Sequence, residues 1–179
     1  MRGTTGRVPI LPKDRDPRLI TIRRGGTLTD EHHQLLADWA LDCAEHVLPL
    51  FEEHQPQDSR PRVAIEAGRG WIRGDVRMTD SRRLAFEANA AARHVPDPAK
   101  FAALSAGQAA AVPHVAAHDL GAAAYAIRAV GAGVPASEAA QARAAERDWQ
   151  RAQLPGAVRE LVLDDQRRRN AICWNVFDD

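Results

Sequence analysis

Lysine is almost missing from this chain. Lys13 and Lys100 are the only two, and arginine carries the rest of the positive charge. Tyrosine occurs once, at Tyr125, and cysteine twice, at Cys43 and Cys173. Two lone cysteines with no CxxC pair exclude a disulfide framework and a cysteine-built zinc site. Both fall among apolar residues of predicted helices and read as buried, reduced thiols. Net charge is also lacking: 24 basic residues balance 24 acidic ones. That balance removes nucleic acid and anionic membrane as main partners. No run reaches the roughly 18 strongly apolar residues of a membrane-spanning helix. The opening MRGTTGRVPILPKDR holds no apolar segment of the signal-peptide kind. The expectation is therefore a soluble, cytoplasmic protein. Gly-rich phosphate loops, a GxSxG elbow and an HExxH helix are absent, so no cofactor and no catalytic residue is assigned.

What the chain does have is alanine and helical periodicity. The stretch 101–130 carries a single fixed charge, Asp119, before Arg128. A helix apolar on nearly all sides is one surrounded by others, and alanine favours both the helix and close approach. The stretch reads as a central helix kinked at Pro113. Around it stand five more predicted helices. The first runs from a cap at Thr29 or Asp30 to about Leu48, with Leu35, Leu36, Trp39, Ala40, Cys43, Ala44 and Val47 in one stripe. The second opens at Arg60-Pro61 and is short because of Gly68, Gly70 and Gly74. The third runs from Thr79 to about His94, the fifth from Pro135 to about Gln153, and the sixth from Pro155 to about Trp174. The fold class is all-α: one domain over 27–179, a bundle of about six helices around the central one. Residues 1–26 form an extended, irregular N-terminal arm, in which Arg18–Arg23 is strand-like with no strand to pair with. The arginine bias and the alanine content fit a high-GC bacterial genome.

Helical spacing places His114, His118, Gly121 and Tyr125 on one face of the central helix. Asp42 and His46, also four apart, lie at the edge of the first helix's stripe. Asp42, His46, His114, His118 and Tyr125 are the candidate pocket-lining residues. Two imidazoles four residues apart can share a metal ion, which makes His114 and His118 the alternative metal ligands. The bland reading, buried or pocket-lining histidines with hydrogen-bond partners, is preferred. Asp165 and Arg169 read as an ion pair within one helix at the edge of the core. Arg60, Arg62, Arg69 and Arg73 read as a solvated face, with an anion site as the alternative.

Four segments, LITIRRGGTLTDEHHQLLADWALDCAEHVLPLFE (19–52), RPRVAIEAGRGWIRGDVRM (60–78), HVAAHDLGAAAYAIRA (114–129) and RELVLDDQRRRNAICWNVF (159–177), resemble a group of helical bacterial immunity proteins. That group is related to the fifth class of polymorphic-toxin immunity domains. The resemblance implies an all-α fold and non-covalent binding of a cognate protein toxin, and it carries no catalytic motif onto these positions. The preferred function is binding and neutralisation of a partner toxin. The alternative is a small-molecule-binding or metal-dependent enzyme of a biosynthetic or self-resistance pathway, with its pocket at the His114/His118 stripe. Oligomeric state is left open.

Overall fold

The computed structural model describes residues 10–178. The expectation of an irregular arm over residues 1–9 lies outside the described residues. Among the described residues the chain is all-α, with no strand and one domain. It holds α1 (Asp30–Val47), a single turn α2 (Pro49–Glu52), α3 (Arg60–Arg73), α4 (Met78–Ala91), α5 (Asp97–Ala111), α6 (Asp119–Ala132), α7 (Ala139–Ala152) and α8 (Gly156–Arg169).

Helix boundaries follow local chemistry. Thr29 caps α1 by accepting from the His32 amide at 3.1 Å, satisfying one of the donors a helix start leaves free. Gly74 ends α3 in the left-handed region at φ 85°, a conformation a Cβ disfavours. The third predicted helix starts earlier than its expected cap: Thr79 falls inside α4, which begins at Met78. Arg18–Arg23 is not a continuous strand. Two 3-10 turns, Pro17–Leu19 and Ile22–Arg24, flank extended backbone at Ile20 and Thr21, and Thr21 forms one isolated bridge with Leu28. Without a neighbouring strand the backbone amides close on nearby carbonyls instead.

The α1 stripe is buried as its periodicity predicts, apart from the half-buried Leu35, and Ala37 and Leu41 are buried as well. The helix is therefore enclosed on more than one side, by α3, α5 and α6. The glycines of α3 do not shorten it; they let neighbours approach. A Cβ on Gly68 would lie 2.6 Å from Leu41 Cδ2, so α3 sits closer to α1 than an alanine there would permit. Cys43 and Cys173 are free and buried. Burial pushes the Cys173 thiol up to about 12.

The central helix is the main correction. The stretch is two helices, α5 and α6, packed against each other, and not one helix with a kink. Proline has no N–H to continue the ladder, and at Val115 the backbone becomes extended (φ −143°, ψ 110°). Three carbonyls at the break are bonded by side chains from elsewhere. His33 Nε2 donates to the Val112 carbonyl at 2.8 Å, Arg24 to that of His114 at 3.1 Å, and Arg169 to that of Ala117 at 2.8 Å. A buried carbonyl without a donor is costly, so these bonds allow a helix break to lie inside the protein.

Candidate functional site

The break decides where the histidines go. His114 lies in the connection and His118 immediately precedes α6, so they are not on one helical face with Gly121 and Tyr125. They nevertheless line one small cleft of about 230 Å³, together with Arg15, Arg82, Asn89 and Gln108. His118 Nδ1 donates to Gln108 Oε1 at 2.7 Å. Gly121 makes this bond possible, because a Cβ there would collide with Gln108 Oε1. Gly107 likewise leaves room for the Asn89 side chain, whose oxygen occupies the space of a Cβ.

The cleft is cationic. Burial, then the neighbouring His114, Arg15 and Arg169, push the His118 imidazole down to about 4. Its ring is thus neutral at physiological pH, and with Nδ1 donating, Nε2 keeps a free lone pair. His114 is pushed down by burial and by the charges of Arg82, Arg24 and Arg15. A second cleft of about 320 Å³ also reaches His114 and is lined by Arg24, His33 and Trp71 among others. His33 is itself held below the ordinary histidine range by burial.

The other expected pocket residues have different neighbours. Asp42 accepts from Arg69 Nη2 at 2.5 Å, and the same guanidinium reaches Asp38 and Glu45. His46 donates from Nδ1 to Glu146 Oε2 at 2.8 Å and stacks on Trp149, with ring centroids 3.7 Å apart. Glu146 in turn accepts from the Gln150 side chain, and the Gln150 backbone carbonyl accepts from Trp39 Nε1 at 2.8 Å. Glu146 and Gln150 are the buried residues of α7, an inward polar face that binary patterning does not reveal. Neither Asp42 nor His46 lines the histidine cleft.

Tyr125 belongs to an aromatic group. The Arg128 guanidinium lies 4.0 Å from the centre of the Phe101 ring and 4.1 Å from that of Trp174. Tyr125 is 5.0 Å from Trp174, centroid to centroid, and 6.2 Å from Phe101. Trp174 stands at positive φ (58°) and is 38% exposed. Burial lowers the Arg128 guanidinium from its ordinary range. Arg128 and Trp174 are separated along the chain and meet because α6 packs beside the C-terminal turn.

The arginines of α3 are neutralised: Arg60 by Asp58, Arg62 by Glu52, Arg69 by α1 carboxylates and Arg73 by Asp75. That leaves the solvated-face reading rather than an anion site. Asp165 and Arg169 pair as expected, but in the interior and with Asp119 as a third member at 3.3 Å. Among the described residues no three of His, Cys, Asp and Glu gather to hold a metal ion, and none of the helices is long and apolar enough to cross a membrane.

Residues 26–157 match the Imm-5 like putative immunity protein family. The chain belongs to this family. The match covers α1 through α7 and the start of α8, and with them both halves of the central stretch. No curated protein and no solved structure matches the chain. Within this chain the histidine cleft, Phe101, Tyr125 and Arg128 fall largely inside the family region, whereas Arg15 and Trp174 lie outside it.

Proposed function

We propose that this protein acts by binding and neutralising a partner toxin, without covalent chemistry on it. Membership of an immunity family supports the reading, and the observation that carries it to a surface is Arg128 held between Phe101 and Trp174. Arginine, tryptophan and tyrosine dominate the energetics of protein interfaces. A guanidinium fixed between two rings has lost much of its side-chain freedom before any partner arrives, which lowers the entropic cost of association. Its faces are occupied by the rings, so its N–H edge is the part left for a carboxylate. The partner surface that fits is therefore acidic with an apolar margin. This agrees with the neutral charge of the chain, which gives no broad field for capturing a basic nuclease.

The test is co-expression in a bacterial host with toxins encoded beside this gene. The expected result is restored growth and a defined complex in size-exclusion chromatography with the toxin it protects against. Arg128→Ala and Trp174→Ala should each weaken that complex tenfold or more while the fold is retained. Growth arrest by every such toxin despite folded protein, with no complex formed, would overturn the reading.

A further inference from the structure

The histidine cleft is independent of the aromatic group and carries a different inference. Around His114 lie Arg15, Arg24 and Arg82. Arg24 spends one N–H on the His114 carbonyl, and Arg82 lies over the Phe86 ring at 5.4 Å. None of the three has a carboxylate partner among the described residues, whereas Arg18, Arg62, Arg69 and Arg169 all do. Arg15 and Arg82 face one concavity of about 230 Å³ with both histidines. Its wall also holds one buried ring nitrogen with no partner, His114 Nδ1, which can donate to an anion when protonated; the unpartnered Asn89 Oδ1 is an acceptor and takes no part.

Converging positive charges without counter-charges, walled by low-dielectric protein, raise the local concentration of anions. Arginine matches the tetrahedral and planar oxyanions through paired N–H bonds. The same charges oppose a metal cation at His114 and His118, whose spacing alone pointed to one. We infer that this cleft is a binding site for a small oxyanion of the phosphate type, taken by Arg15 and Arg82 with His114 and His118 beside it. A volume of this size admits one such group and excludes a polymer. The group can be free inorganic phosphate or the phosphoryl end of a small metabolite. The inference does not depend on toxin binding.

Isothermal titration calorimetry of the full chain with inorganic phosphate and, separately, with ribose 5-phosphate tests it and distinguishes the two sources. Saturable one-to-one binding of either is expected. Tighter binding of the sugar phosphate would assign the metabolite end, and equal or weaker binding would assign the free ion. Arg82→Gln, at an exposed position that folding does not need, should weaken binding tenfold or more. Arg143→Gln, on the far α7, should leave it unchanged. Sulfate serves for the pH series because its charge is constant between pH 5.5 and pH 8. It should bind more tightly toward pH 5.5, because the bound dianion favours the protonated form of His114 against the charges of Arg15, Arg24 and Arg82. Absence of saturable binding, or equal loss in Arg82→Gln and Arg143→Gln, overturns the inference.

Discussion

Arg169, near the end of α8, reaches Asp119, at the start of α6, at 3.3 Å in the buried interior. The same guanidinium pairs with Asp165 and donates to the Ala117 carbonyl at 2.8 Å. One side chain thus compensates two buried carboxylates and a carbonyl freed by the helix break. Replacing Arg169 by Met should cost about 3–5 kcal/mol, the range for removing one partner of a buried ion pair. Urea unfolding at pH 8 measures it, and a loss under about 1 kcal/mol would mean the pair is not buried as described.

Asp119 gives that group a pH signature. Desolvation, partly offset by Arg169, raises its carboxyl to about 7. The unfolded chain releases this proton near pH 4, so between about 4 and 7 the folded state holds more protons and this group's contribution to stability falls as pH rises. In Asp119→Asn that titration is gone. Relative to the wild type the variant should gain stability from pH 4 to pH 7 and then level off. Parallel stability curves for the two proteins would show that the Asp119 carboxyl is not raised.

His118 works in the opposite direction. Its folded value of about 4 lies below the ordinary histidine value. The unfolded state therefore binds the extra proton first, and stability is lost as pH falls from about 6.5 toward 4, by up to about 3 kcal/mol. In anion-free buffer the imidazole resonances of His118 should hold the neutral position until the pH drops below about 5. A midpoint near 6.5 in that NMR titration would mean the ring is open to water.

Gly107 should not tolerate alanine. Its Cβ would meet the Asn89 side chain and come within 3.0 Å of the Ala85 carbonyl oxygen, which belongs to the α4 backbone. Alanine gains about 1 kcal/mol of helix propensity, but the displacement of α4 should outweigh it, for a net cost of about 1–2 kcal/mol. Thermal unfolding of Gly107→Ala gives the sign directly, and a raised Tm would show that α4 yields without cost.

Much of the helical pattern was legible because it is local. The Thr29 cap, the Leu36–Trp39–Cys43–Val47 stripe and the start of α3 at Arg60-Pro61 depend on neighbours within a turn or two. The histidine cleft was half legible. His114 and His118 drew notice by spacing, yet that spacing assumed a continuous helix that the structure does not contain. Arg15, Arg82 and Asn89 gave no local signal, and neither did the inward polar face of α7.

The sequence by itself determined an all-α chain, its helix count to within the splitting of one stretch and the single turn Pro49–Glu52, and a family whose residues run from 26 to 157. These follow from periodicity, caps and composition, which act over a few residues. Only the tertiary structure decided that Pro113 marks a full break, because the break depends on His33, Arg24 and Arg169 arriving to bond its carbonyls. It also decided which arginines meet carboxylates and which remain unpaired around His114. Charge pairing is set by distance in space, and helix packing brings together residues such as Asp119 and Arg169 that are fifty positions apart.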